Sequence, residues 1–141
     1  MKFKYQKIGV AKSEAFPDRK SILRPIIPII LKYKDKKVGY RVLIDSGADY
    51  NIFHGVIGEI LGLDVKTGKE ENLGGISGHT LTVYFHFIDA EIGGWEYKLY
   101  CGFSYDIPPY GYGVVGQNGF FDTFIVKFDL IKEEIELKER N

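Results

Sequence analysis

The chain has a single cysteine, Cys101, so no intrachain disulfide can form and no cysteine-rich metal site can be built. It has no excess of charge, because 19 Lys and Arg balance 19 Asp and Glu. The basic footprint that nucleic acid or an anionic lipid surface requires is therefore missing. Long apolar runs are missing too. The most apolar stretch, PIIPIIL, is broken by Pro25 and Pro28 and falls far short of a bilayer span. The opening residues, MKFKYQKIGV, hold no apolar core of signal-peptide length. These absences lead to the expectation of a soluble protein of the reduced cytoplasm, with no nucleic-acid or membrane partner. Helical periodicity is also scarce.

What is present is alternation, on a chain of 141 residues that suffices for one domain with a real core. Lys2 to Ile8 reads as a possible edge strand and residues 11–24 as a polar loop, so 1–24 form an N-terminal segment ahead of a single domain over 25–141. Ile27, Ile29, Leu31 and Tyr33 alternate up to a charged KDKK turn, and Val38, Tyr40, Val42 and Ile44 alternate on the return. That hairpin delivers Asp45 to the end of its second strand. A helix is predicted from His54 to Leu61, with Val56, Ile57, Ile60 and Leu61 as its apolar stripe, Gly62 as C-terminal cap and Asn51 as a possible N-cap. Leu81, Val83, Phe85 and Phe87 mark a further strand, and Gly93-Gly94 a tight turn into Trp95, Tyr97 and Leu99. Val114-Val115-Gly116 precede a short helix predicted at Gln117 to Phe121. FIVKFDL and IELKE then close the chain as a hairpin around Lys132 to Glu134. Six to eight short strands with one or two short helices make a mainly β domain, a barrel or a sandwich.

Among the chemistry-bearing residues, IDSGAD (44–49) stands out. About one chain in twenty of this length holds an Asp-[Ser/Thr]-Gly triplet by composition alone, and such triplets make good turns. Placement raises its interest: a carboxylate between a buried-type strand and a helix is costly unless it is strongly hydrogen-bonded or used. The string Gly111-Tyr-Gly113-Val-Val-Gly116 matches a dinucleotide fingerprint, but no helix of adequate length follows and too little chain remains for a doubly wound sheet. His54, His79 and His86 have no metal-ligand spacing, and neither a metal nor another cofactor is expected. Ser77 and Cys101 lack the context of a nucleophile. Leu73-Gly-Gly-Ile-Ser-Gly78 is a glycine-dense hairpin tip, either a plain turn or a lid over an extended ligand.

The order of these features resembles the retropepsin-like aspartic proteases over roughly Pro25 to Leu137, and most closely their small bacterial single-domain members. The parts that carry the resemblance are VLIDSGADYNIF and GVVGQNGFFDTF, with the glycine-rich hairpin between them. It implies a closed acid-protease β-barrel and a homodimer in which Asp45 of each chain meets the other across a two-fold axis. Such a dyad shares a proton and activates water for direct hydrolysis of a peptide or protein substrate. By the same resemblance Ser46 braces the paired loops, Gly47 makes room for the supporting backbone amide, and Ala48 offers the aspartate no hydroxyl. Asp49 and Val115 would line the substrate site, and Gly74, Gly75, Ile76, Ser77 and Gly78 would form the flap. Two departures accompany it. Retroviral members have an arginine where this chain has Gln117, and the C-terminal segment reads as an intrachain strand pair. The alternative is a non-catalytic dimeric peptide-binding or scaffolding domain of the same fold.

Overall fold

A computed structural model describes residues 1–74 and 78–141. Among the described residues twelve strands and one α-helix form: β1 (Lys2–Lys4), β2 (Gln6–Gly9), β3 (Ser21–Arg24), β4 (Ile26–Tyr33), β5 (Lys36–Ile44), β6 (Asn51–His54), α1 (Gly55–Ile60), β7 (Lys69–Gly74), β8 (Thr80–Ile92), β9 (Trp95–Ser104), β10 (Gly113–Val115), β11 (Phe124–Asp129) and β12 (Glu134–Glu139). Six of the strands close a ring in the order β4, β5, β10, β6, β9, β8, and β8 returns to pair with β4. The barrel mixes directions: β10 runs parallel to β5, and β6 parallel to β9. Closure leaves no free edge in the ring, so every inner face can be apolar. Ile27, Leu31, Val42, Phe53, Leu99, Phe103, Val115 and Phe120 fill it, each fully buried. The strand count exceeds the six to eight expected because several strands have only three or four residues.

The long strand β8 does two jobs. Its first half pairs with β7, which projects from the ring as the glycine-tipped hairpin, and its second half seals the barrel against β4. Gly93 and Gly94 both take positive φ (60° and 87°), as a two-residue hairpin joining β8 to β9 requires. A separate sheet, β1-β12-β11, packs Phe3, Ile135 and Leu137 toward the core and turns Lys2, Lys4, Glu134 and Glu136 to solvent.

Four readings of the sequence require correction. Residues 21–24, taken as loop, pair antiparallel with 6–9; all four are half-buried, so no in-out alternation betrays them. Asn51 caps no helix: it lies in β6, and His54 is the N-cap, its ring Nδ1 accepting from the Val56 N–H at 3.0 Å. The apolar stripe of α1 packs only in part, through Ile57 and Leu61. Val56 and Ile60 are exposed, while Gly55 and Gly58 are buried, Gly58 so close to Val65 that an added Cβ would stand 2.8 Å from it. Finally, Gln117 to Phe121 is a chain of turns and not a helix. The N–H groups of Phe121 and Asp122 reach back five residues, to Gly116 and Gln117. Gly119 sits at φ 103°, and the Asp122 carboxylate accepts its N–H.

Candidate active site

Strand β5 ends at Ile44, whose register partner is Val115 of β10. The next residue, Asp45, keeps that ladder going by donating its N–H to the Val115 carbonyl at 3.0 Å. The chain then turns sharply. The Gly47 N–H donates to the Asp45 carboxylate at 2.9 Å, and the Ala48 N–H to the Asp45 carbonyl at 3.1 Å. A Cβ on Gly47 would lie 3.2 Å from the Asp45 Oδ1, so glycine allows this close approach. The carboxylate is half-buried at the mouth of the barrel, held by a backbone amide and aimed by a rigid strand end.

The loop is fastened from its other side by the segment after β10. The Gln117 N–H donates to the Ala48 carbonyl at 2.8 Å, and the Asn118 N–H and side-chain amide both donate to the Asp49 carbonyl at 2.9 Å. The Gln117 side-chain amide donates to the Ser46 carbonyl. Beneath these contacts lies Asn51, fully buried. Its carbonyl oxygen accepts the Gly116 N–H at 2.9 Å and its amide donates to the Tyr100 carbonyl at 3.3 Å. Gly116 must be glycine, because a Cβ there would stand 2.4 Å from the Ala48 carbonyl oxygen. The Cys101 thiol is buried beside the same asparagine, and burial pushes its pKa far up, a hydrogen bond with Asn51 opposing this only in part.

Asp45 opens onto an apolar cleft of about 610 Å³ walled by Ala48, Ile52, Leu81, Ile107, Pro108 and Tyr110, with Val114 in the floor. On the other side of Ala48, Ile52 and Leu81 lies a second compartment of about 430 Å³, which reaches Asp49, Tyr50, Asn72, Leu73 and Gly74 of the projecting hairpin. The two share three walls and form one groove past the carboxylate. Among the described residues no cluster of three or more His, Cys, Asp or Glu could hold a metal ion. A single carboxylate in an apolar groove can take a proton from water or donate one. It cannot do both at once.

No family model matches the chain, and no curated protein does. Among solved structures the chain is similar to the EIAV protease complexed with the inhibitor HBY-793, with a TM-score of 0.50 and 20% identity over 66% of this chain and 81% of that one. The fold is retropepsin-like. This match concerns the backbone path.

The expected site residues divide into three groups. Asp45, Ala48, Asp49 and Gly74 line the groove, while Ser46 and Gly47 lie in the loop that carries it. Val115 does not line it: the two-residue period of β10 turns Val115 into the core, and Val114 takes the groove position. Gly75, Ile76 and Ser77 lie outside the described residues, and the neighbouring Gly78 has φ 78°. The side chain of Asp49 is exposed, and no ion pair of it occurs among the described residues. Sequence reading missed the far wall, Ile107 to Tyr112. Its signal was present as IPPYGYG, a Pro-Pro and aromatic segment directly ahead of the VVG strand.

Proposed function

We propose that the chain is one half of an aspartic endopeptidase, two copies of which bring their Asp45 carboxylates together and hydrolyse peptide bonds in extended polypeptide. The observation that carries this reading is Asp45 itself, a carboxylate braced by the Gly47 amide at a strand end and facing an apolar groove beneath a β-hairpin. The retropepsin-like fold supports it, since that barrel is the one the resemblance in VLIDSGADYNIF leads one to expect. In the paired site one Asp45 is ionised and takes a proton from a bound water. The other is protonated and donates to the peptide carbonyl oxygen as the water adds. The resulting tetrahedral intermediate collapses with a proton passing to the departing amine, so no acyl-enzyme forms. Like charges at short range make the shared proton stable, and activity follows a bell-shaped pH profile belonging to the pair. The β7–β8 hairpin, with Gly74 and Gly78 at the edges of its tip, closes over the bound strand and pairs with its backbone.

Asp45→Asn tests this directly. The variant should keep the circular dichroism and melting behaviour of the parent, and lose cleavage of unfolded protein substrates by more than about a hundredfold at every pH from 3 to 7. Cleavage at the parental rate would remove Asp45 from the mechanism. A peptide-binding module without chemistry is the second reading, favoured by the exposed Asp49 and by glutamine in place of the retroviral arginine at position 117. Saturable peptide binding by wild type with no product across the same pH series would establish it.

A further inference from the structure

One face of β8 runs out of the groove. Leu81, Val83, Phe85 and Phe87 alternate onto the same side of the strand. Leu81 lines both groove compartments. From Leu81 the face climbs about 13 Å to Phe85 and about 20 Å to Phe87 at the usual rise per residue. Along the way aromatic rings gather from β8, from β9 and from Tyr50, the residue ahead of β6. The Tyr50 ring meets Phe85 edge-on at 5.5 Å, Tyr100 stacks on Phe85 at 5.2 Å, and Phe87 lies 4.5 Å from Tyr100. Phe87 and Tyr100 are 60% and 37% exposed.

The barrel core does not use these rings, because it packs on the opposite face, through Ile88, Leu99 and Cys101. The strip instead edges a third compartment of about 390 Å³ bounded by Tyr50, Lys69, Glu71, Phe85, Tyr100 and Asn118. Tyr50 lines this compartment and the groove alike. Lys69 and Glu71 of β7 stand opposite Phe85 and Val83 as a polar rim of both signs, and the Lys98 ammonium lies 6.0 Å from the Phe87 ring. A rim of mixed sign offers no footing for a nucleic-acid backbone or an anionic lipid surface.

We propose that Tyr50, Tyr100 and Phe87, backed by the buried Phe85, form an outer extension of the substrate groove, which seats apolar or aromatic side chains of the bound peptide. Those side chains lie about four to six residues beyond the one held at Leu81. The inference rests on the peptide-cleaving reading for its occupant. Two observations select that occupant: Tyr50 lines both the groove and the outer compartment, and the rings left accessible beyond it, Tyr100 and Phe87, continue in the direction of β8, whose Val83 and Phe85 are themselves buried. A chain passing over Tyr50 toward Phe87 sets its side chains on the exposed edges of Tyr50, Tyr100 and Phe87.

The test separates the strip from the chemistry. A fluorescein-labelled apolar octapeptide is compared with the same peptide lengthened by six residues, either Gly-Ser repeats or alternating Phe and Ser. Affinity for Asp45→Asn is read by anisotropy, and kcat/KM for wild type by product formation. The Phe-Ser extension should tighten binding about tenfold and lower KM similarly, while Gly-Ser adds less than about twofold. In an otherwise parental protein carrying Phe87→Ser and Tyr100→Ser, the ratio of extended to core peptide should fall below about twofold in both readouts. An undiminished ratio in that variant, or equal gains from both extensions, overturns the inference even where the octapeptide is cut. If wild type cuts nothing, the peptidase reading fails, and the anisotropy ratio still decides the strip. A loss of self-association in the double variant by sedimentation, with peptide ratios unchanged, would assign the strip to a second copy of the chain and overturn the proposal.

Discussion

Asn51 is the residue on which the site's geometry converges. A buried amide must have its polar atoms satisfied, and here they tie β6 to the start of the 116–118 segment and to β9. Replacing it with leucine keeps the branched outline of the side chain but strands the Gly116 N–H and the Tyr100 carbonyl. Asn51→Leu should therefore cost about 2–4 kcal/mol in urea unfolding, and the proposed peptidase activity should fall with it because the loop carrying Asp45 loses its anchor. The neighbouring Cys101 gives a second, independent expectation. Its thiol pKa is raised by burial, so a neutral thiol stabilises the fold at pH below the ordinary thiol value. As pH climbs past about 8.5 the unfolded chain loses the proton first, and stability declines by up to about 1.4 kcal/mol per pH unit from this group. Wild type minus Cys101→Ala, measured by urea unfolding between pH 7 and 10.5, should show that slope. A pH-independent difference would mean that the thiol is accessible to solvent or ionises normally.

At the scale of elements, the segment after β10 shows what local pattern can miss. Gln117 to Phe121 has the residues of a short helix in the expected place, yet the chain turns around Gly119. The deciding contacts are distant in sequence: Asn118 to Asp49, Gln117 to Ser46 and Ala48, Gly116 to Asn51. The two readings predict opposite signs for Gly119→Ala. In a helix the change would add about 1 kcal/mol of stability. At φ 103°, with a Cβ placed 2.4 Å from the Asn51 amide nitrogen, it should instead destabilise by about 2 kcal/mol or more in thermal or urea unfolding. The same division explains what was legible elsewhere. The strands on either side of the KDKK and Gly93-Gly94 turns carry a period that solvent and core impose locally, so they could be read residue by residue. The strand at 21–24 is half-buried throughout and has no such period. The apolar residues of α1 were visible, and Ile57 and Leu61 pack on the core, but Gly55 and Gly58 are buried as well, and their missing side chains leave no hydrophobic signal. In the site, IDSGAD was legible because a carboxylate at a strand end needs a reason. Which valine of VVG faces the groove was not legible, since it depends on the register of β10 between β5 and β6.

For the whole molecule, the proposed function requires that one carboxylate per chain become two. The terminal strands are not free to supply the contact by interleaving, because β1 already pairs with β12 of its own chain and their outer face is charged. The proposed pairing must then rest on the mouth of the barrel, around the Asp45 loop and the β7–β8 hairpin. An interface of that kind places the two catalytic groups in contact with the dimer axis itself, so a mixed dimer holding one asparagine has half a dyad and no turnover. Subunit mixing converts this into a number. When wild type and Asp45→Asn are combined in equal amounts and allowed to exchange, random pairing leaves about one quarter of the dimers with both aspartates. Activity per total protein should settle at about that fraction of the wild-type value, and approach it at the rate of subunit exchange. A chain that worked alone would instead retain about one half from the first measurement.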